Sequence, residues 1–356
     1  MFILKYPVKI LTVFLLSLLL ASPAFAYQFV PPKQPEPSPK LNLVWDHITQ
    51  KSPNLSNQEK IDGLDILSPT WFAVIDETGR LSSLADSSYV EAAHAKGYKV
   101  WPLITNSFNP DLTGKVLADE KAQDAVITAL SEYARQYNLD GINIDFENIY
   151  DSDKEKFVAF VGKMTKKLKQ QNLVVSIDVT VPSNTPNWSR CYDRAKLGQI
   201  VDYVMVMTYD EHWRKSPVSG PVASLPWVER GIQATLELVP KEKILLGLPF
   251  YTREWEETTD DYGQKTVSAK TLSMSAAQKI IDTYNLSPVW LNDQGVNYVE
   301  YNKNGNLYRI WLEDSKSISL KAALVQKYGL AGAASWRKGF EAQHIWFVID
   351  NALRPE

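Results

Sequence analysis

Short β-branched runs alternate with longer amphipathic segments along most of this 356-residue chain, and no other feature constrains its fold as strongly. The runs that predict strands lie at residues 42–48, 65–75, 98–105, 141–147, 173–180, 201–209, 243–250 and 329–336. Helical patterns lie mostly between them, near residues 87–96, 121–137, 152–170, 224–238, 317–328 and 341–352. Eight strands separated mostly by helices favour an α/β fold, a closed (β/α)8 TIM barrel, over a doubly wound sheet.

One stretch, residues 254–317, breaks the alternation. It contains a helical pattern at 275–284 and two strand runs at 296–301 and 307–313, which flank the dipeptide Asn304-Gly305. Asn-Gly between two such runs is a strong hairpin signal. We therefore expect a small α+β insertion after the seventh strand, on the face of the barrel where catalytic loops lie. The insertion could form one wall of a cleft or be a peripheral excursion without ligand contacts.

The first 26 residues predict a secretory signal peptide. Lys5 and Lys9 precede an apolar run at residues 10–21, and Ala24-Phe25-Ala26 has the small-x-small pattern that signal peptidase recognises. Residues 27–41 are rich in proline and predict an extended linker. A folded domain is expected over residues 42–356, in a secreted, extracellular protein.

The composition excludes several classes of function. A formal net charge of −3 gives no electrostatic basis for binding nucleic acid. No apolar stretch after the signal peptide approaches the roughly 20 residues that a membrane span needs. Cys191 is the single cysteine, so no intrachain disulfide can form, and we interpret it as a small buried side chain. The four histidines have no metal-ligand spacing, so neither a metal nor another cofactor is expected.

The most informative segment reads DGINIDFEN over residues 140–148. Side chains alternate along a strand, so Asn143, Asp145 and Glu147 share one face while apolar residues occupy the other. A parallel barrel strand is ordinarily apolar on both faces, and buried carboxylates are costly unless they are hydrogen-bonded or neutralised. We interpret this polar row as a functional site, with a solvated edge strand as the alternative. Asp140 has the opposite parity to Asn143 and is interpreted as structural.

The spacing of the two acids also constrains the chemistry. Asp145 and Glu147 are two residues apart on one face, so their Cα atoms lie about 6.5–7 Å apart and both approach a ligand from the same side. The ordinary two-carboxylate glycosidase places its acids on opposite sides of the scissile sugar. This pair can instead act in series, with Glu147 protonating the leaving oxygen and Asp145 raising its pKa. The nucleophile must come from elsewhere, and the 2-acetamido oxygen of the substrate is the available choice.

Four motifs in order carry a family resemblance. DGINIDFE is similar to the D-G-x-x-x-D-x-E signature of glycoside hydrolase family 18, on the fourth barrel strand. Met207-Thr208-Tyr209-Asp210 resembles the M-x-Y-D of strand six, Gly247-Leu248-Pro249-Phe250-Tyr251 resembles the G-x-P-x-Y after strand seven, and Trp336 falls at the tryptophan of strand eight. The resemblance covers nearly all of residues 41–352 and implies that the folded domain is a catalytic barrel.

The resemblance implies roles for individual residues. Glu147 would act as acid and then base, Asp145 would orient the acetamido group and stabilise the oxazolinium charge, and Tyr209 would hydrogen-bond the acetamido oxygen. Met207 and Asp210 would line the subsite of the reacting sugar. Trp336 would stack beneath the ring of that sugar. Tyr209, Met207 and Trp336 could instead be ordinary core residues.

Three more residues are assigned to substrate binding. Asn106, at the end of strand three, and Arg253, beyond strand seven, are expected as rim contacts. Asn143 stands where many chitinases have Asp, so it can hydrogen-bond but cannot titrate, which predicts a shifted pH optimum or weaker activity. Other tryptophans could supply sugar platforms or pack in the core, and the candidates are Trp45, Trp71, Trp101, Trp188, Trp213 and Trp255.

A closer resemblance is to the bacterial spore-germination and cell-wall branch of the family, which also carries Asn at the position of Asn143. The segments LVWDHIT, SPTWF, NIDFEN and MTYDEHW carry it. The branch implies cleavage of β-1,4 bonds at N-acetylglucosamine in peptidoglycan, with retention, by a protein associated with the cell wall or spore. Chitin oligosaccharides are the alternative substrate. A non-hydrolytic glycan-binding protein, or a germination or coat-assembly factor, are alternatives of another class, and the presence of Glu147 favours the enzyme.

Overall fold

The computed structural model describes Phe2 and residues 39–259 and 262–355. The predicted signal peptide, apart from Phe2, and residues 27–38 of the predicted linker lie outside the described residues. Within the described part of the chain, no helix combines the length and the apolar character that crossing a membrane requires.

The regular elements are fifteen strands and nine α-helices in the described residues. The strands are β1 (Leu41–Asp46), β2 (Ile66–Val74), β3 (Leu81–Ser83), β4 (Lys99–Val100), β5 (Leu103–Thr105), β6 (Gly141–Asp145), β7 (Val174–Thr180), β8 (Tyr203–Met207), β9 (Ile244–Pro249), β10 (Tyr251–Thr259), β11 (Lys265–Ser273), β12 (Val289–Leu291), β13 (Val296–Lys303), β14 (Asn306–Leu312) and β15 (Gly332–Trp336). The helices are α1 (Ser87–Ala95), α2 (Pro110–Ala118), α3 (Glu120–Gln136), α4 (Lys154–Lys169), α5 (Arg194–Ile200), α6 (Leu225–Leu236), α7 (Met274–Tyr284), α8 (Ser315–Tyr328) and α9 (Ile345–Leu353).

Eight parallel strands close into a barrel. The order around it is β1, β2, β5, β6, β7, β8, β9 and β15, and β15 pairs with β1 to complete the ring. The short strand β4 also pairs with β2, just before β5. The predicted (β/α)8 barrel is therefore confirmed, and so is the position of DGINIDFE on its fourth strand.

Two apolar cores lie on the two sides of the barrel wall. Ile142, Ile144 and Phe146 of the acidic segment pack outward, with at most 1% of their surface exposed, in the large core between the barrel and its helices. The smaller core fills the barrel interior and consists of Leu43, Trp45, Ile66, Trp101, Leu103, Met205, Leu245 and Ala334. The alternation predicted for residues 142–147 is confirmed, because the polar members of the segment face this interior.

Two helices were absent from the sequence prediction. Helix α2 begins with Asn109 as its N-cap and Pro110 in its first turn, but Gly114 interrupts its centre, which weakens its helical pattern. Helix α5 has only seven residues, which is too short to give a clear periodicity. The last helix, α9, begins at Ile345, later than the predicted residue 341.

The insertion after the seventh barrel strand is a five-stranded antiparallel sheet with α7 packed against it. Its strand order is β11, β10, β14, β13, β12. The predicted helix and hairpin are confirmed, and Asn304 (φ 53°) and Gly305 (φ 83°) both adopt the left-handed conformation that a two-residue hairpin loop requires. Strands β10 and β11 were not predicted, because threonine and charged residues occupy many of their positions and obscure the alternation. The α+β segment therefore begins at Tyr251, three residues before the expected start.

Candidate active site

A cleft of about 740 Å³ opens at the carboxyl ends of the barrel strands. It is bordered by the ends of β1, β6, β7, β8 and β15 and by the segments that follow them. Its lining combines acidic and aromatic side chains: Trp45, Phe108, Asp145, Glu147, Asp178, Thr180, Val181, Pro182, Ser183, Thr185, Trp188, Met207, Tyr209, Asp210, Trp213, Trp227, Tyr251 and Trp336. This is the face on which barrel enzymes place their catalytic groups.

Strand β6 carries the two predicted acids into this cleft. Asp145 is its last residue and Glu147 follows two positions later, so the strand alternation continues beyond the hydrogen-bonded ladder. Gly141 begins the strand because a Cβ there would lie 2.6 Å from the carbonyl oxygen of Val174. The motif glycine thus permits the close strand contact that fixes the direction of β6.

Asp145 is a buried carboxyl group without a cation beside it. The residue is 8% exposed, and its Oδ1 has no hydrogen-bond partner among the described residues. Burial disfavours the charged form and raises the pKa of Asp145 to about 7. The carboxyl group therefore titrates near neutral pH.

Glu147 lies in the same cleft as Asp145, and its pKa is raised as well. Burial raises its pKa well above the usual range, and the negative charges of Asp145 and Asp210 raise it again. The prediction that Asp145 raises the pKa of Glu147 agrees in direction, although burial is the larger cause. A raised pKa favours the protonated carboxylic acid, which is the form that can donate a proton.

Asn106 holds the backbone of Glu147. Its Oδ1 accepts the Glu147 N–H at 3.0 Å, and its Nδ2 donates to the Glu147 carbonyl at 2.7 Å. Asn106 is 1% exposed and does not line the cleft. The expected rim contact is therefore wrong, because both ends of this amide are used to position the acid.

Asp178 on β7 is an acidic residue of the cleft that sequence reasoning missed. It is 1% exposed, and burial followed by the charge of Asp145 raises its pKa well above normal. Ser176, Asp178 and Thr180 alternate along β7, just as the polar row does on β6. That repeated alternation on the adjacent strand was the available signal.

Asn143 lies beneath the acids and does not line the cleft. Its Nδ2 donates to Asp178 Oδ1 at 2.8 Å, and its Oδ1 accepts the indole N–H of Trp45 at 2.8 Å. It is completely buried. The assignment of Asn143 to direct substrate binding is therefore corrected to support, because its polar atoms are used by its neighbours.

Met207, the last residue of β8, and Tyr209 and Asp210, which follow it, line the cleft. The Tyr209 ring packs edge-to-face on Tyr251, with centroids 6.1 Å apart. Burial raises the pKa of Tyr209 well above normal, so its hydroxyl remains a donor. The Tyr251 hydroxyl donates to Asp210 Oδ1 at 2.5 Å. This hydrogen bond links the segment after β8 to the start of β10.

Arg253 is buried behind Asp210 instead of lying on the rim. It is 5% exposed and absent from the cleft lining. Its guanidinium donates to Asp210 Oδ1 at 2.5 Å, to the His212 carbonyl at 3.2 Å and to Thr271 Oγ1 at 2.8 Å. The expected rim contact is therefore wrong, since all of these donors are used within the protein.

Aromatic side chains form much of the remaining wall. Trp336 ends β15, and its ring lies 5.9 Å from that of Trp45. Trp188 and Trp213 are 43% and 51% exposed in the cleft, and Trp227 also lines it although it was not predicted. The other candidate platforms are buried away from the cleft and belong to the core: Trp71, Trp101 and Trp255.

Residues outside the cleft behave as structural groups. Cys191 is buried, as predicted, and burial raises the pKa of its thiol to about 11. Asp140, at the opposite end of β6, accepts hydrogen bonds from Lys99 Nζ and the Val100 N–H, both at 2.9 Å. Among the residues described, no group of three or more histidine, cysteine or acidic side chains is placed to hold a metal ion.

A (β/α)8 barrel with unpaired acids in an aromatic cleft at its carboxyl end defines a barrel glycosidase. The chain belongs to the glycosyl hydrolases family 18, whose sequence profile matches residues 70–340. The predicted family is therefore confirmed.

Relatives from spore-forming bacteria agree with the predicted branch. The chain is 26% identical to the uncharacterized glycosylase YvbX of Bacillus subtilis over 288 residues, which cover 77% of this chain and 80% of that protein. It is 28% identical to the cortical fragment-lytic enzyme of Bacillus anthracis over 258 residues, 69% of this chain and 58% of that enzyme. The chain thus spans little more than half of the second relative.

Solved structures share the fold. The chitinase of Chromobacterium violaceum matches with a TM-score of 0.79 and 22% identity, over 89% of this chain and 100% of that one. The spore cortex-lytic enzyme SleL of Bacillus megaterium matches with a TM-score of 0.78 and 22% identity, over 89% of this chain and 75% of that one. The barrel is common to both kinds of enzyme.

Proposed function

We propose that this protein hydrolyses β-1,4 bonds at N-acetylglucosamine in peptidoglycan, with retention of configuration and with the substrate's own acetamido group as nucleophile. The observation that carries the proposal is Glu147, a buried acid in the cleft whose pKa is raised well above its usual range. Asp145 lies on the same strand end and the same side of the ligand, so it is not placed as an opposed nucleophile.

In the proposed first step, the Glu147 carboxyl donates its proton to the glycosidic oxygen. The bond from C1 to that oxygen breaks, and the acetamido carbonyl oxygen bonds to C1 to form an oxazolinium ion. In the second step, the Glu147 carboxylate removes a proton from water, which attacks C1 as the acetamido oxygen leaves. Two displacements at the same carbon give net retention.

The neighbouring groups stabilise the charge that develops on the acetamido group. Asp145, which lines the cleft, is proposed to accept the acetamido N–H. Tyr209, whose hydroxyl stays protonated, is proposed to donate to the acetamido oxygen. Asp178 lies in the same cleft, where burial and the charge of Asp145 raise its pKa, and Trp336 supplies a flat surface for the sugar ring. The mechanism requires no cofactor.

Peptidoglycan is proposed as the polymer because two relatives bear the names of enzymes that act on spore cortex. Chitin oligosaccharides are the alternative, which the similarity to the di-N-acetylchitobiase of Rattus norvegicus, 25% identical over 281 residues, favours. A wall-degrading enzyme must act outside the membrane, so we also propose that residues 1–26 direct secretion and that the protein acts at the cell wall or spore.

The first experiment compares the protein with Glu147→Gln on purified peptidoglycan and on chitooligosaccharides. We expect Glu147→Gln to lower kcat by at least about 100-fold, because it removes the transferable proton. The matched control is Glu237→Gln, which alters an exposed glutamate at the end of α6. Identification of the new reducing-end sugar determines which bond is cut. Equal inactivity of all three proteins on every glycan would refute the hydrolase and favour a glycan-binding role.

A second experiment tests substrate assistance. Oligosaccharides in which glucose replaces N-acetylglucosamine lack the proposed nucleophile, so we expect no turnover with them. Their hydrolysis at a rate close to that of the acetamido substrate would exclude the oxazolinium route while leaving the hydrolase assignment intact.

A further inference from the structure

Three residues form a basic corner beside the sugar platform of the cleft: His47, Trp336 and Arg337. The His47 and Trp336 rings lie 5.9 Å apart at 52°. Arg337 follows Trp336 directly, and its charge lowers the pKa of His47, after the larger effect of partial burial. The corner lies between the ends of β1 and β15, next to the residues that line the cleft.

Arg337 carries a cation that no acidic side chain of the described residues pairs with. Among the described residues, its guanidinium makes no hydrogen bond or ion pair. It makes a cation–π contact with the Phe340 ring, whose centroid is 3.8 Å from Cζ. Asp46 and Glu341 attract its charge only from beyond ion-pair distance. Partial burial lowers the pKa of Arg337, so the unpaired charge carries a cost that an anionic ligand would relieve.

The backbone around Arg337 is fixed on both sides. The Trp336 carbonyl accepts the Phe250 N–H at 2.7 Å, and the Lys338 N–H donates to the Trp45 carbonyl at 2.9 Å. With its side chain against Phe340, the guanidinium is held in place before any ligand arrives. A planar, preorganised guanidinium is the preferred partner of a carboxylate, which it binds through two parallel hydrogen bonds.

The other cations close by are already used. Arg253 is paired with Asp210, and Lys338 contacts Asp46 at 3.4 Å and Gln58 at 3.0 Å. The floor of the cleft carries Asp145 and Glu147, which offer no positive charge to an anionic substituent of the substrate. A glycan that carries carboxylates would therefore place them toward Arg337.

We infer that the basic corner binds a carboxylate carried by the glycan, and that it selects anionic strands over neutral ones. Muramic acid residues supply such groups through their lactyl substituent or the attached peptide, whereas chitin has none. The inference rests on the proposed function, which supplies the glycan, and it adds the reason why this cleft would prefer peptidoglycan.

The test compares Arg337→Gln with the unmodified protein on three substrates of matched length. These are peptide-free peptidoglycan strands with a free lactyl carboxylate, strands that retain their peptides, and neutral chitooligosaccharides. We expect the ratio of kcat/KM for anionic over neutral strands to fall at least about tenfold, mainly through KM. The peptide-free strands distinguish the lactyl carboxylate from the peptide carboxylates as the group that is bound.

Two control variants define the cause. Arg337→Lys keeps the charge but loses the planar fork, and we expect an intermediate ratio. Arg135→Gln removes the same charge from the exposed face of α3 and should leave the ratio unchanged. An unchanged ratio for Arg337→Gln, or an equal change with Arg135→Gln, would overturn the inference.

A binding measurement separates this inference from the hydrolase proposal. The Glu147→Gln protein is titrated with peptide-free strands and with chitooligosaccharides. Both titrations are then repeated with a double variant that carries Glu147→Gln and Arg337→Gln. If the Glu147→Gln protein prefers the anionic strands and the double variant does not, the result supports carboxylate binding by the basic corner, even if no glycan is cleaved. Suppose instead that cleavage depends on Glu147 but that the Glu147→Gln protein binds both kinds of strand with equal Kd values. That result would refute carboxylate binding by the basic corner and leave the hydrolase proposal intact.

Discussion

The two ends of strand β6 hold acids in opposite environments. At the beginning, partial burial would raise the pKa of Asp140, but hydrogen bonds from Lys99, Val100 and His94 outweigh it and lower the pKa. At the other end, burial raises the pKa of Asp145 to about 7, and its Oδ1 has no partner within the described residues. One strand therefore carries a satisfied acid that supports the fold and an unsatisfied one that a ligand must complete.

The contrast explains why a costly arrangement is tolerated. Hydrogen bonds to a charged group typically stabilise by about 1.5–3 kcal/mol, whereas a buried group left without a partner is destabilising. Burial of Asp145 therefore costs the fold stability, and its position in the cleft gives that cost a functional explanation. Separation of a stabilising end and a reactive end is the general organisation of this fold.

Asp145→Asn is expected to have the largest effect on activity. The amide keeps the shape of the side chain but loses the negative charge that stabilises an oxazolinium ion. We expect kcat to fall by roughly 10²–10⁴ on any substrate that the protein cleaves. Steady-state kinetics measure this, and a loss below about threefold would show that Asp145 does not act on the reacting sugar.

The same substitution should make the protein more stable at neutral pH. The folded-state pKa of Asp145, about 7, is above its ordinary value, so its contribution to stability is full at low pH and is lost as the pH rises toward 7. Asp145→Asn removes that loss. We expect its free energy of unfolding to exceed that of the unmodified protein by on the order of 2–4 kcal/mol at pH 7.5 and by little near pH 4.

Denaturant unfolding at a series of pH values measures the difference. A difference that does not grow between pH 4 and 7 would contradict the raised pKa. Loss of stability at pH 7.5 would indicate that the carboxylate, and not the neutral acid, is the favoured form in the fold.

Asp140→Asn provides the matched test at the other end of the strand. Its pKa is lowered in the folded protein, so its contribution to stability is present above the ordinary pKa and is lost as the pH falls. We expect a loss of about 1–3 kcal/mol at pH 7, which diminishes in acid, with kcat unchanged. A fall in kcat comparable to that of Asp145→Asn would abolish the distinction between the two ends.

Asn106→Ala is expected to lower activity less than Asp145→Asn does. It removes the two hydrogen bonds that hold the Glu147 backbone but leaves both acids in place. We expect kcat to fall about tenfold with little change in KM, since misplacement of the acid affects the proton transfer more than binding. A change confined to KM would return Asn106 to the rim role that the sequence suggested.

The sequence was sufficient to predict the barrel and the strand ends that carry several residues of the cleft. Periodicity predicts β6 with its polar row, and motif order places Tyr209, Asp210 and Trp336 at strand ends. Asp178 could have been found by the same alternation on β7. Asn106 and Arg253 could not be assigned correctly, because a position at a strand end does not determine whether a side chain enters the cleft or holds a neighbour. Strands β10 and β11 were missed because their composition is polar.

The ion pair between Arg253 and Asp210 bears on how this enzyme can be modified. Arg253 belongs to β10, the first strand of the inserted segment, yet it pairs with Asp210, whose negative charge helps to raise the pKa of Glu147. An engineer who trims residues 251–312 to widen the cleft would also deprive Asp210 of its counter-charge. The proton affinity of the catalytic acid would then rise, so the shortened enzyme would work best at a more alkaline pH.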